Sequence, residues 1–174
     1  MNATFCNRFQ VAALAALVVL PQVAVAQNPF RTAGEKITGQ AYWPAQAMGR
    51  HLQSAQAYAQ EYHNYLTRAP RPEPVVVQEV SKTLTGYLDE ANKHLTSMKK
   101  DFADDKETVA AVEKLEKDLA KAVGHHKAMI TCCQDEKFDK AMAMTCCTDL
   151  SKVLANIHED HVALMKKLTA KHAK

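Results

Sequence analysis

The sequence lacks the short motifs by which most enzymes are recognised. It has only five glycines among 174 residues, and they form no Gly-rich phosphate loop. It contains no nucleophile elbow and no zinc-protease motif of the spacing His-Glu-x-x-His. No residue pattern requires catalysis, so the sequence favours a binding or structural protein over an enzyme.

Two further absences concern membranes and nucleic acids. Beyond the first 26 residues, no segment approaches the run of about 18 apolar residues that a spanning helix needs, and no membrane anchor is expected. The 22 basic residues are nearly balanced by 19 acidic ones, and the lysines are interleaved with acids rather than clustered. This balance gives no support to a nucleic-acid partner.

The N-terminal segment has the three parts of a secretory signal peptide. It carries one arginine, Arg8, then an apolar run from Val11 to Leu20, and it ends in the small residues Ala24-Val25-Ala26. We therefore expect residues 1–26 to be a signal peptide, cleaved near Ala26, and the mature protein to be periplasmic or extracellular. Residues 27–40 are polar and are expected to be a flexible lead-in to the folded domain.

Residues 41–174 have the apolar spacing of helices in a bundle, with steps of three and four. We predict helices over about 42–68 and 74–100, separated by three closely spaced prolines that cannot lie inside a helix. The third helix is predicted to follow Asp104. Asp104 and Glu107, three residues apart, resemble a capping box. A tight turn within 134–139 leads to the fourth. Short connections predict an all-α, up-down-up-down antiparallel four-helix bundle.

Three of the four predicted core-facing rows include a histidine. The row of the second helix is predicted to run Val77, Val80, Leu84, Tyr87, Ala91, His94 and Met98. The row of the first helix is Met48, Leu52, Ala55, Ala59, Tyr62 and Leu66, and His51 lies one position off it. The row of the third helix is Val112, Leu115, Leu119, Ala122, His126, Met129 and Cys133. The row of the fourth is Ala143, Cys147, Leu150, Leu154, Ile157, His161, Leu164 and Leu168. An unsatisfied buried polar group costs about 1–3 kcal/mol, so these histidines need hydrogen-bond partners or a metal ion.

One group of candidate ligands is expected at a common height in the bundle. Counting residues from the shared turns, at 1.5 Å each, places His51 and His94 nearly level. We call the candidate ligands near this level the lower site: His51, His94, His158, His161, Glu90, Glu113 and Glu116. Three histidines with a carboxylate suit zinc, copper(II) or iron. The alternative is a hydrogen-bonded network of histidines and glutamates without a metal.

A second group of candidate ligands is expected nearer the other end of the bundle. The tripeptide Thr-Cys-Cys occurs at 131–133 and again at 145–147. We call the second group the upper site: His63, His125, His126, Cys132, Cys133, Cys146 and Cys147. Such ligands select copper(I) or zinc. Export favours the alternative of disulfides between the two cysteine pairs, each closing a loop of roughly 14 residues and worth about 3 kcal/mol.

The pattern resembles three known kinds of helical bundle in part. It is similar to carboxylate-bridged di-iron bundles, but the second helix has Glu90 four residues before His94 instead of a Glu-x-x-His pair. Bacterial copper-storage bundles resemble the upper site, although they are lined with many more than four cysteines. Haem-binding four-helix bundles resemble the lower end, and that resemblance implies axial ligands among Met48, His51 and His161. Because Cys-x-x-Cys-His is absent, that likeness implies haem held without covalent attachment.

The sequence thus predicts an exported metal-binding bundle whose partner is a metal ion. Its expected role is the buffering, storage or sensing of copper or zinc through core histidines and paired cysteines. Two alternatives stay open from the sequence. One is a disulfide-stapled structural or interaction module with no metal, and the other is a redox bundle that holds haem or two metal ions, iron among them.

Overall fold

Four long helices make up most of the part of the chain that the structure describes. The structure, a computed structural model, describes residues 42–134 and 138–172. The helices are α1 Tyr42–Arg68, α2 Pro74–Asp101, α3 Lys106–Gln134 and α4 Lys140–His172. No strand occurs within these ranges, and none of the described helices is long and apolar enough to cross a membrane. The predicted signal peptide and lead-in lie outside the described residues.

The four helices are arranged around a square, each beside the helices next to it. Helix α1 packs against α2 and α4, and α3 packs against the same two. Over the described ranges, the diagonal pairs α1–α3 and α2–α4 make no close backbone contact. Helices that are consecutive in sequence are neighbours joined by short connections, so they run in opposite directions. The predicted up-down-up-down antiparallel bundle is confirmed.

The predicted core rows of α1, α3 and α4 are buried, and the row of α2 is corrected at two positions. In α2 the buried residues include Leu88 and Leu95, whereas Tyr87 and His94 are only half-buried. Each leucine directly follows the residue it replaces, so the true row is rotated by about 100° at those turns. Burying leucine removes apolar surface from water. Burying Tyr87 and His94 instead would have placed their polar atoms in the core.

The N-termini of two helices are capped by aspartate. The cap of α3 is Asp105, not Asp104 as predicted: its carboxylate accepts hydrogen bonds from the Thr108 amide at 3.2 Å and the Thr108 hydroxyl at 2.8 Å. At α4, the Asp139 carboxylate accepts a hydrogen bond from the Met142 amide at 2.9 Å. Each cap satisfies an amide that has no partner inside its helix.

Of the three glycines in the described helices, only one has a close neighbour where a side chain would begin. A Cβ on Gly49 would lie 3.3 Å from Cε1 and 3.4 Å from Nδ1 of the His161 ring. A Cβ on Gly86 or Gly124 would meet nothing within 4 Å. The absence of a side chain on Gly49 therefore lets the α4 imidazole pack directly on the α1 backbone.

This contrast predicts opposite effects of alanine at two glycines. Gly86→Ala should stabilise the fold by about 1 kcal/mol, because alanine is the better helix former and its methyl group meets open space. Gly49→Ala should gain less or destabilise, because the imidazole of His161 must move. Urea unfolding followed by circular dichroism measures both free energies. Equal stabilisation by the two substitutions would show that His161 is not held against Gly49.

Candidate metal site

Three candidate ligands from the lower site converge where α1 meets α2. One ligand atom each from His51, Glu90 and His94 lies within 4.8 Å of the other two. The imidazole rings are stacked, with centroids 5.5 Å apart and ring planes inclined by 16°. In the described part of the chain, no other group of three histidine, cysteine or acidic ligand atoms is this close.

The packing of α2 places these side chains at the edge of the core. Glu90 and His94 are four residues apart, so they project from one face on successive turns. Buried Ala91 and Leu95 follow them directly and face inward, which turns Glu90 and His94 towards α1. All three candidate ligands are half-buried, and the site has the core on one side and water on the other.

The electrostatics of the site favour the ionisation states that a metal ion needs. Burial lowers the pKa of His94, and the nearby His51 lowers it further. The Lys93 ammonium donates a 2.6 Å hydrogen bond to Glu90 and thereby lowers the pKa of that carboxyl. At neutral pH His94 is therefore a neutral imidazole and Glu90 a carboxylate, the forms that bind metals. Lys93 also competes with any bound cation for Glu90.

Two imidazoles and one carboxylate are a recognised ligand set for borderline divalent ions. Zinc is held by three such protein ligands in sites that keep a fourth position open to solvent or substrate. Imidazole and oxygen ligands also suit copper(II). The solvent-facing side of the group leaves room for such an additional ligand.

His161 and His158 lie outside this group, although His161 was predicted to converge with His51 and His94. His161 is buried on Gly49, and neither ring nitrogen forms a hydrogen bond within the described part of the chain. Burial and, to a smaller extent, the neighbouring His158 lower its pKa to about 4, and the Ala45 backbone opposes the shift. His158 is half-buried, and burial lowers its pKa too.

The two carboxylates predicted on α3 are engaged elsewhere. The Lys99 ammonium lies 3.0 Å from Glu113 and 3.2 Å from Glu116. These ion pairs join α2 to α3, whereas the His51–Glu90–His94 group joins α2 to α1. Residue counting placed these glutamates at a common height, but height alone does not specify which neighbouring helix a side chain faces.

The histidines of the upper site are spread around the bundle. His126 is buried, its Nε2 has no partner within the described residues, and it lines a cleft of about 540 Å³ between α2 and α3. His63 is half-buried, and its Nδ1 is likewise without a described partner. His125 is half-buried. None of the three belongs to a group of ligand atoms as close as the one at His51.

The cysteines of the upper site lie where α3 meets α4. Cys132, Cys133, Cys146 and Cys147 are free thiols in the structure, so the disulfides expected from export are not among its contacts. The Tyr62 hydroxyl donates a 3.2 Å hydrogen bond to Cys133 Sγ.

Two functional neighbours were not identified from the sequence. Tyr62 was predicted only as a core residue. A buried tyrosine needs a partner for its hydroxyl, and this requirement could have indicated a polar contact in the core. Lys93 lies three residues after Glu90, a spacing that brings two side chains together on a helix. That spacing could have identified the ion pair before the structure.

No family model, curated protein or solved structure matches the chain. Its function is therefore argued from the geometry of its own residues. The converging ligands on α1 and α2 are the firmest starting point, because they combine proximity, partial solvent access and suitable ionisation.

The depressed pKa of His161 predicts that acid destabilises the fold. The unfolded chain, with an ordinary histidine pKa near 6.5, binds a proton that the folded state rejects until about pH 4. The contribution of the neutral His161 side chain to the free energy of unfolding is fully present above about pH 6.5 and is lost as pH falls towards 4. Between pH 7.5 and pH 4, the free energy of unfolding of His161→Leu should fall by roughly 3 kcal/mol less than that of the parent. Urea unfolding at the two pH values measures the difference.

The control is Val162→Leu, a non-titrating exchange at the next, half-buried position of α4. It should keep the parental dependence of unfolding free energy on pH. If His161→Leu keeps that dependence as well, His161 is not the group that couples the fold to acid.

Proposed function

We propose that the chain is an exported four-helix bundle that binds zinc or copper(II) through His51, Glu90 and His94. Its role is the buffering, storage or sensing of that ion in the periplasm or outside the cell. The observation that carries the proposal is the convergence of three ligand atoms, two imidazole and one carboxylate, within 4.8 Å at the α1–α2 edge.

The contacts of these residues favour a metal site over a hydrogen-bonded network. Glu90 bonds to Lys93 and not to either histidine. The two imidazoles stack on each other, and one nitrogen of each lies within 4.8 Å of the other and of a Glu90 oxygen. A network that served only to satisfy the core would instead join the carboxylate to an imidazole N–H.

The surroundings also set the expected strength of binding. Glu90 is the one acidic ligand in the group, and its carboxylate is shared with the Lys93 ammonium. The positive charge of Arg50 acts on His94 and contributes to its lowered pKa. Two nearby cations weaken the attraction for a divalent ion, so the site is suited to reversible binding, as in a buffer or sensor.

The alternative of a di-metal redox bundle receives less support. Such a centre needs several carboxylates around its histidines. Glu113 and Glu116 would have to supply them, and both pair with Lys99 on the other side of α2.

Zinc or copper(II) should raise the melting temperature at pH 7.5 and raise it much less at pH 5. An ion at 100 times its dissociation constant stabilises the folded state by about 2.7 kcal/mol. Protons compete with the metal ion for the imidazole nitrogens as pH falls. Glu90 stays ionised at pH 5 because Lys93 lowers its pKa. Differential scanning fluorimetry of the mature chain, with and without each ion, measures the effect.

Matched variants test two of the three proposed ligands. Glu90→Gln and His94→Gln should each remove most of the stabilisation by metal, whereas Asp89→Asn and His125→Gln should retain it. Lys93→Gln should increase it, because Glu90 loses its competing cation. If the Glu90 and His94 variants respond to both ions as the parent does, the proposed site does not bind them.

A further inference from the structure

A second group of possible metal ligands lies at the end of the bundle away from the histidine site, and it consists of sulfur atoms. We call it the sulfur cluster, and its members are Met129, Cys132 and Cys133 of α3 with Cys146 and Cys147 of α4. Met129 is fully buried, Cys147 is 1% exposed, and Cys133 and Cys146 are under 10% exposed. Five sulfur atoms therefore occupy the region where α3 and α4 meet near their shared turn.

A direct contact joins two members of the cluster, and a second contact joins another member to α1. Cys147 Sγ lies 3.2 Å from Met129 Sδ, which places a thiol against a thioether. Cys133 accepts the hydrogen bond from Tyr62 at 3.2 Å. Burial keeps the pKa of the Tyr62 hydroxyl well above its usual range, so this group remains a donor. A donor aimed at sulfur favours the thiolate form.

The cluster is reachable from outside. A cavity of about 380 Å³ at the end of the bundle is lined by the Cys133 side chain, by Gln134, and by residues of the α1–α2 connection and the start of α2. Cys132 is half-buried, one residue from Cys133. An ion could therefore reach the first sulfur atoms without separation of the helices.

The ligands that lie close together in this region distinguish between metals. A divalent ion such as zinc needs four ligands in a tetrahedral shell. No three of the described thiol, imidazole and carboxylate atoms here are within 4.8 Å of one another. Thiolate and thioether sulfur together select copper(I).

We propose that the sulfur cluster is a copper(I) site in which Cys133, Cys147 and Met129 are the ligands and Tyr62 positions Cys133. It is separate from the histidine site in place, ligand type and ion. The proposal therefore does not depend on zinc or copper(II) binding at Glu90.

Binding at the cluster must release protons. Burial raises the pKa of Cys133, and it raises that of Cys147 to about 12, so both thiols are protonated in the absence of a metal. One copper(I) ion and two thiols give the bound ion with two thiolates, and two protons pass to the solvent. Affinity should consequently increase with pH.

The test is an anaerobic titration of the reduced mature chain with copper(I) held by a coloured competing chelator. Loss of the chelator complex gives the affinity, and a thiol-reactive dye counts the cysteines that copper(I) protects. The parent should bind copper(I) more tightly at pH 8 than at pH 6 and should protect at least Cys133 and Cys147. Cys147→Ser and Met129→Leu should weaken binding by about tenfold or more, and Tyr62→Phe by less.

Two controls keep the result interpretable. Met98→Leu replaces a fully buried methionine at the opposite end of the bundle and should bind as the parent does, as should His94→Gln. If Cys147→Ser is not folded by circular dichroism, Met129→Leu decides, because it nearly conserves core volume. Parental affinity in Met129→Leu and in every folded cysteine variant, or no copper(I) uptake by the reduced parent, would overturn the proposal.

Discussion

Burial of one apolar row per helix is the constraint on which the rest of this structure depends. Each row must face the bundle axis, so the rotation of every helix is fixed once its row is chosen. In α2 the leucines take the core, and Glu90 and His94 are then directed to the α1–α2 edge. The candidate metal site is thus a consequence of core packing: a rotation by one residue would bury both ligands and expose leucine.

The two ends of the bundle provide different environments for an ion. The histidine group is half-buried, so water can complete the coordination shell of a divalent ion and screen its charge. Four of the five residues of the sulfur cluster are buried, whereas Cys132 is half-buried. Ligand type and solvent access thus differ between the ends: nitrogen and oxygen ligands lie at a half-buried edge, and polarisable sulfur lies mostly in the core. The two proposals accordingly assign different ions to the two ends.

Periodicity predicted the helices, their order and three of the four core rows, because burial imposes the 3.6-residue repeat directly on the sequence. It failed at Tyr87 and His94, where the adjacent leucines fit the same spacing and only packing decides between them. Residue counting predicted that His51 and His94 would be level. It did not predict the direction of His161, which depends on helix rotation and on Gly49. The contact between Tyr62 and Cys133 joins residues 71 positions apart, and no local pattern encodes such a pairing.

The histidines also link the fold and the metal site to pH in the same direction. His161 packs on Gly49, two residues before His51, and burial keeps its imidazole neutral over the range in which metal-bound histidines must also be neutral. Burial has the same effect on His94. Falling pH therefore protonates His94 and His161 and loosens the α1–α4 contact that supports α1 beside the site. If the site binds a metal ion as proposed, that ion opposes acid unfolding, because the unfolded chain cannot bring His51 and His94 together.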